Sequence, residues 1–362
     1  MAYGTLQIFD TIGARRAAAN DYIHKFDERT LYQMLQVFLD THNRLINMMT
    51  DDLVEPTEER YMTWGTNDTI DMIEGDEFSR PDAQKVTVSP VDMGFPLRIK
   101  QAAYGVTKLF METKTLGDLE QVITAATDAD IRDRLKTIRA ALFNPTNNLT
   151  YKDRWVDNIT LPIRALVNAD GAYIRPDQFG NIFDPSTHTH FLGTGSFADT
   201  DLLALINTVV EHYPTGSVRV YINRSQETTV RGFTTGTTKF YAYYDARITP
   251  TVNADVARGN TLDQLSIYDR AIGIFGAAEI WVKPWVPANY LFAFNTGAPK
   301  PLRMRTRNAQ RGNLRIAAQI EMYPLQAQFL EREYGIAVYE RTNGACLKTD
   351  NATYSAPASW AI

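Results

Sequence analysis

One pair of histidines in this chain has a spacing that chemistry could use. His188 and His190 flank a single residue, so on a strand both side chains would lie on the same side, as the ligands of a metal site can. The residues that follow, 191–195, contain no carboxylate that could serve as a third ligand. The remaining histidines lie on or next to helical stretches and have no companion: His24, His42 and His212. We therefore interpret the pair as a loop or surface pair, and we assign no metal site.

Motifs for nucleophilic catalysis and phosphate binding do not occur in the sequence. Neither a Gly-x-Ser-x-Gly elbow nor a cysteine protease signature surrounds Cys346, whose setting is typical of a turn entering a strand. The glycines form no phosphate-binding loop, so nucleotide chemistry has no support. Asp71 and Glu74 could act as acid and base, but they lie in a charged run that is typical of a solvated face. We predict no catalytic residue and no cofactor.

Two segments of opposite charge are the strongest chemical signal. The acidic segment, residues 66–82, has six carboxylates against one arginine, whereas the basic segment, residues 300–320, has six basic residues and no acidic one. Three arginines of the basic segment alternate and would project from one face of a strand, where they could bind carboxylates or phosphates. The residues that could form an interface between subunits are Asp68, Asp71, Glu74, Asp76 and Glu77 in the acidic segment, and Arg303, Arg305, Arg307, Arg311 and Arg315 in the basic segment.

Three interpretations of the basic segment stay open. It could be an exposed strand that its charge keeps soluble. It could instead pair with the acidic segment of a neighbouring subunit, since opposite charges steer and align an interface. A third interpretation is that the segment binds the phosphates of nucleic acid. This contact would be non-specific, because no aromatic side chains that could stack on bases lie between its arginines.

Apolar residues at spacings of three and four predict two long helices. The first lies within residues 17–50 and stops before Pro56, because proline disfavours helical geometry in the preceding residue. The second covers Leu116–Phe143 and has Asp128 and Asp130 as candidate interruptions.

Between these helices, the flanks of the acidic segment favour extended structure. The two flanks, Arg60–Trp64 and Lys85–Ser89, would form a long two-stranded arm. Such an arm has marginal stability by itself in water, so we expect it to rest on another copy of the protein. Later in the chain, a helix that starts near Asp199 leads to a strand at Ser217–Ile222, and β segments follow. This order predicts an α+β architecture.

Length and composition set further bounds. At 362 residues and 40.9 kDa, the chain exceeds a typical domain of about 100 to 200 residues, so we expect two or three packing units. A net charge of −5 is too mild for a dedicated nucleic-acid binder. With one cysteine, no secretory signal and no apolar run of about 18 residues, we expect a soluble intracellular protein without membrane contact.

The order of these elements resembles that of the tailed-bacteriophage major capsid proteins, whose fold is shared with encapsulins and herpesvirus capsid floors. Two passages carry most of the likeness: Ile272–Asn289, which is similar to the strand pairs of that family's axial domain, and the closing passage Phe329–Tyr339 with Gly344–Lys348. The likeness is one of architecture and extends over nearly the whole chain. It implies the phage major capsid fold, with an N-terminal arm, an extended β loop, a long spine helix, a peripheral domain and an axial domain.

The resemblance also implies boundaries and a function. The parts would be an N-terminal arm and helix (1–55), an extended loop over the next subunit (56–98), a peripheral domain (99–198 plus 326–362) with a spine helix (115–143), and an axial domain (199–325). The chain would be a structural protein, not an enzyme, that self-assembles as hexamers and pentamers into an icosahedral shell around double-stranded DNA.

Expected partners and alternatives follow from the same resemblance. The partners would be copies of this chain, a separate scaffold, a portal, possible decoration proteins and DNA by non-specific contact. Assembly would take place in the host cytoplasm, and the product would be the virion capsid. One alternative is an encapsulin-type compartment that holds a cargo enzyme; a weaker one is a metal-dependent enzyme that uses His188 and His190.

Overall fold

The computed structural model describes residues 21–64, 72–74, 77, 91–177, 179–236, 238–243, 269–322 and 324–358. The helices in these ranges are α1 (Glu28–Thr50), α2 (Lys108–Thr113), α3 (Leu116–Phe143), α4 (Asp199–Val210) and α5 (Arg224–Arg231). The strands are β1 (Val54–Thr57), β2 (Tyr61–Trp64), β3 (Val91–Gly94), β4 (Arg98–Thr107), β5 (Asn148–Lys152), β6 (Thr160–Ile163), β7 (Phe191–Gly193), β8 (Val218–Ile222), β9 (Phe240–Ala242), β10 (Arg270–Phe275), β11 (Ala278–Val282), β12 (Tyr290–Asn295), β13 (Leu302–Arg305), β14 (Arg315–Met322), β15 (Leu325–Val338) and β16 (Ala345–Lys348).

The long helix α3 confirms the helix predicted from the second apolar pattern. It begins with a capping box: the Asp118 N–H donates to the Thr115 hydroxyl, and the Thr115 N–H donates to the Asp118 carboxylate. It ends at Phe143, ahead of the Asn144-Pro145 pair that cannot continue a helix.

No interruption occurs within α3 at Asp128 or Asp130. The buried Asp130 carboxylate accepts a hydrogen bond from Arg332 Nη1 at 2.6 Å and lies 2.9 Å from His42 Nε2. Because side chains of β15 and α1 satisfy this carboxylate, it does not compete for the backbone N–H groups of its own helix. The same contacts hold α3 against both neighbouring elements.

Helix α1 is shorter than the pattern over residues 17–50 predicts. Residues 21–27 precede it with a 3₁₀ turn at Ile23–Lys25, and residues 17–20 lie outside the described part of the chain. The helix ends at Thr50, and Pro56 then lies in β1, so the predicted stop is confirmed.

Two larger sheets organise the described part of the chain. In the first, β1, β13, β15 and β14 are hydrogen-bonded in that order, and β4 also pairs with β15. In the second, the order is β7, β16, β12, β8, β11, β10 and β9. Helix α4 buries Leu202, Leu205, Ile206 and Val209 in the apolar core that includes the inner strands of this second sheet.

The expected domain boundary between residues 325 and 326 does not coincide with a change of sheet. β13 and β14 were expected in the axial part, yet both pair antiparallel with β15, for example Leu302 with Val338. β16 was expected in the peripheral part, yet it pairs with β12, for example Ala345 with Ala293. β15 thus forms backbone hydrogen bonds with strands from both sides of the expected boundary, and the boundary itself stays a prediction.

The base of the predicted arm is present as an antiparallel pair. β2 and β3 align Tyr61 with Gly94 and Trp64 with Val91, which confirms that the first flank is extended. The second predicted flank, Lys85–Ser89, lies outside the described residues. The indole N–H of the buried Trp64 donates to Glu340 at 2.7 Å, so the base of the arm is fixed to the end of the first sheet.

Among the described residues, we find no helix that combines the length and the apolar character needed to cross a membrane.

Candidate functional site

The arginines of the basic segment fold against carboxylates of the same chain. Arg303 lies opposite Glu55 in the parallel pair of β13 and β1, and their charged groups are 3.1 Å apart. Arg315 Nη2 lies 2.9 Å from Glu331 across the pair of β14 and β15. Neighbouring strands therefore supply the counter-charges that the sequence of the segment lacks.

Arg305 forms an internal ion pair, and this corrects the expectation that three alternating arginines present one free face. Its Nη1 lies 2.8 Å from the carboxylate of Asp153 and also donates to the carbonyl of Phe95 at 2.9 Å. Both charged side chains are buried. Because this guanidinium is enclosed and paired within the chain, we leave Arg305 out of the interface that we propose below.

Arg307 and Arg311 share one carboxylate. Arg307 Nε lies 3.0 Å and Arg311 Nη1 2.6 Å from the two oxygens of Glu333, which is buried. The two guanidinium groups keep 43% and 42% of their side-chain surface exposed. One positive charge at this surface is therefore left over.

The acidic candidates are mostly beyond the described part of the chain. Glu74 and Glu77 are described and exposed, whereas Asp68, Asp71 and Asp76 lie outside the described residues. Pairing between the acidic and basic segments of different subunits thus stays a prediction.

A second cluster brings together residues that the sequence did not connect. His188 and His190 lie just before β7, and Glu211 and His212 directly follow α4. The Nε2 atoms of the three histidines are 3.1 Å from one another in all three pairs. Glu211 Oε1 lies 3.4 Å from His188 Nε2 and 3.9 Å from His212 Nε2. We call these four residues the histidine cluster; they correct the interpretations that the pair lacks a third ligand and that His212 has no companion.

Backbone hydrogen bonds fix the position of His190 within this cluster. Its N–H donates to the Val167 carbonyl and its carbonyl accepts from the Cys346 N–H, both at 2.8 Å. The ring Nδ1 lies 2.7 Å from the Gly344 carbonyl. Because a carbonyl can only accept, Nδ1 carries a proton, and the neutral ring presents a lone pair at Nε2 toward the other two histidines.

Burial determines the electrostatics of the cluster. Desolvation lowers the pKa of His188, lowers that of His190 well below its usual value and lowers that of His212 to about 3, with the neighbouring imidazoles adding to the effect on the last two. Desolvation raises the pKa of Glu211 to about 7. Burial therefore favours the neutral form of these imidazoles, which is the protonation state that a metal ligand needs.

The sequence offered one weak signal for the missed residues, the adjacent Glu211-His212 at the end of an apolar helix pattern. No spacing rule connects His212 to His190, 22 positions earlier. By contrast, the structure supports the inert interpretation of Cys346: it is buried, and burial raises the pKa of its thiol far above the usual range.

No family model and no curated protein matches this chain. Among solved structures, the chain is similar to a protein of Mycobacterium phage Patience, with a TM-score of 0.67 and 20% identity over 92% of this chain and 91% of that one. Weaker likenesses are to the capsid of an empty GTA particle (TM-score 0.46, 12% identity, 84% of this chain and 89% of that one) and to the SrpI encapsulin of Synechococcus elongatus (0.43, 12%, 85% and 88%). The likeness to the phage protein confirms the expected fold, the major capsid fold of tailed bacteriophages with its α+β architecture.

Proposed function

We propose that this chain is the structural subunit of an icosahedral shell, which it builds as hexamers and pentamers around double-stranded DNA, and that it is not an enzyme. The observation that carries the proposal is the extent of the fold: the likeness to the phage protein covers 92% of this chain and 91% of the other. A chain that is almost entirely shell fold has few residues left for a separate catalytic domain.

A surface beside the basic segment supports contacts between copies. Trp155, Val156 and Ile159, in the hairpin between β5 and β6, keep 52%, 47% and 51% of their surface exposed. Arg307 Nη2 donates to the Trp155 carbonyl at 3.3 Å, so the arginine lies against this hairpin. Exposed tryptophan and arginine next to aliphatic side chains are typical of interface cores. We call these four residues the basic-apolar patch.

Rings of identical subunits need head-to-tail contacts between two different surfaces of one chain. The basic-apolar patch is one such surface, and the acidic segment, with exposed Glu74 and Glu77, is our proposed partner on the neighbouring subunit. Arg307, Arg311 and Arg315 are the arginines that remain exposed enough to take part.

The same proposal sets the partners and the location. A shell of this kind forms in the host cytoplasm with a separate scaffold and a portal, and ends as the virion capsid; decoration proteins are a possible further partner. A net charge of −5 suits a wall that holds DNA without binding it tightly, so the contact with DNA is non-specific.

Electron microscopy of the purified chain, together with its mass in solution with and without co-expressed scaffold, tests this function. We expect rings or closed shells, and nuclease-resistant DNA in particles from a natural source. A co-purifying enzyme in place of DNA would favour a cargo compartment. A small oligomer under every condition, scaffold included, would count against a shell protein.

The double variant Trp155→Ser with Arg307→Gln tests the patch. Arg311 still neutralises Glu333 at 2.6 Å in this variant, so the subunit should fold while assembly is lost or strongly reduced. The matched control is Met48→Ser with Arg44→Gln on the exposed side of α1, which also removes one exposed apolar side chain and one arginine. Normal shells from the patch variant, or equal loss in the control, would remove the patch from the proposal.

A further inference from the structure

We propose that the histidine cluster is a binding site for a divalent first-row metal ion, with zinc the best match, held by the Nε2 atoms of His188, His190 and His212 and by the carboxylate of Glu211. The site is structural: the ion joins the end of α4 to the segment that leads into β7, the edge strand of the second sheet. This inference does not depend on the proposed shell function.

The distances between the three histidine nitrogens are close to those between neighbouring ligand atoms around one tetrahedral ion. Zinc binds imidazole nitrogens at about 2.0 to 2.1 Å, which places adjacent ligand atoms about 3.3 Å apart. The three nitrogens are 3.1 Å from one another. Glu211 Oε1 lies farther out, 3.4 Å from His188 Nε2 and 3.9 Å from His212 Nε2, so this carboxylate must move closer to complete the site. A point about 1 Å above the plane of the three nitrogens lies at zinc-binding distance from all of them.

Hydrogen bonds between neutral rings satisfy only one pair of these three nitrogens fully; the third nitrogen can at best share the same N–H. His190 donates through Nδ1 to Gly344, so its Nε2 offers a lone pair that can take one N–H from either neighbour. Once one of His188 and His212 fills that lone pair, a second N–H inside the triangle finds no acceptor among the three nitrogens. A cation accepts all three lone pairs at one point, which removes the conflict.

The surroundings hold these ligands in place. His190 is fixed by backbone hydrogen bonds on both sides, and the His188 N–H donates to the Asp184 carbonyl at 2.9 Å. The ring of Phe183 covers the cluster, with its centroid 4.1 Å from that of His212 and 4.9 Å from that of His188. A carbonyl that orients a ligating imidazole and an apolar cover are the usual second layer of a metal site.

The ligand set indicates a closed site. Three imidazoles and one carboxylate complete a tetrahedral zinc ion, which leaves no open position of the kind that catalytic zinc keeps for water. Glu211 keeps 38% of its side-chain surface exposed and so provides the side from which the ion enters.

Zinc uptake by the full-length chain, stripped with a chelator and passed through a desalting column, tests the site. We expect about one zinc per chain by elemental analysis and, after cobalt substitution, the intense absorption bands of tetrahedral coordination. His212→Gln should weaken zinc binding at least about a hundredfold, and Glu211→Gln about ten- to a hundredfold. His24→Gln, in an exposed histidine that contacts the Glu112 carbonyl, is the matched control and should bind as the unchanged chain does.

Two results would overturn the proposal. One is substoichiometric zinc with octahedral cobalt bands in the unchanged, folded chain, a measurement that needs no variant. The other is unchanged affinity in His188→Gln, the cluster variant expected to fold best because this ring is the most exposed of the three. Both readouts use the isolated chain, so failure of shell assembly does not affect them.

Discussion

The basic segment and the histidine cluster both place like side chains close together, and the fold treats them in opposite ways. In the basic segment, Arg303, Arg305, Arg307, Arg311 and Arg315 each lie within 3.1 Å of a carboxylate on the same chain. In the histidine cluster, the three Nε2 atoms lie 3.1 Å from one another, closer than the carboxylate of Glu211 lies to any of them.

The difference follows from the chemistry of the two groups. A guanidinium is always charged and only donates, so inside a fold it needs an anion. A neutral imidazole carries a lone pair, so three of them facing one point need a cation. A cluster of identical side chains therefore does not indicate a functional site until the protonation states and the counter-charges of its members are known.

The largest effect should come from breaking the internal pair of the basic segment. Asp153→Ala leaves Arg305 charged and buried without its partner, which we expect to cost about 3 to 5 kcal/mol of unfolding free energy. Denaturant unfolding measures this loss. Asp157→Ala, which removes an exposed carboxylate of the same loop, should have little effect. Equal losses in both variants would contradict the internal role of Arg305.

The second largest effect should be the stabilisation of the folded chain when zinc binds to the histidine cluster. At a free zinc concentration a hundred times the dissociation constant, binding to the folded state alone adds about 2.7 kcal/mol to the free energy of unfolding. Thermal unfolding with and without chelator measures the difference, which should vanish in His188→Gln. A zinc effect of the same size in that variant would place the ion elsewhere.

Acid should weaken another buried ion pair of the chain, that of Asp130 with Arg332. Burial alone would raise the pKa of Asp130, but the hydrogen bond from His42 and the charge of Arg332 outweigh it and hold this pKa below its usual value. The unfolded chain then binds this proton more readily, so the stabilisation is complete above about pH 4 and is lost as the pH falls through the lower folded pKa. Unfolding free energies measured between pH 5 and 2 should fall in the unchanged chain. This fall of unfolding free energy with pH should be smaller in Asp130→Asn. An equal fall in the variant would contradict a lowered pKa of Asp130 in the folded chain.

The smallest effect should come from an exposed member of the basic segment. Arg315→Gln removes a charge that is 39% exposed and paired with Glu331, so we expect a change of about 0.2 to 1 kcal/mol. If this variant also assembles normally while the Trp155 and Arg307 double variant does not, the proposed interface narrows to the patch around Trp155. A loss as large as that of Asp153→Ala would mean that exposed and buried arginines of the segment do not differ.

Much of the fold could be predicted from local pattern. The apolar spacing of residues 116–143, the Thr115 cap and the Asn144-Pro145 stop all act within a few residues, and α3 follows them. The same holds for α4 and β8. The pairing of β13 and β14 with β15, which crosses the expected domain boundary, depends on hydrogen bonds between distant segments and leaves no local pattern.

The sequence by itself determined the α+β class, the long helix, the charged segments and the absence of known catalytic motifs, because each depends on residue types at short spacing. Only the tertiary structure decided which arginines are buried and which histidines meet. The partners of Arg305 and His190 lie 152 and 22 positions away along the chain, and only the packing of strands and helices brings such residues within bonding distance.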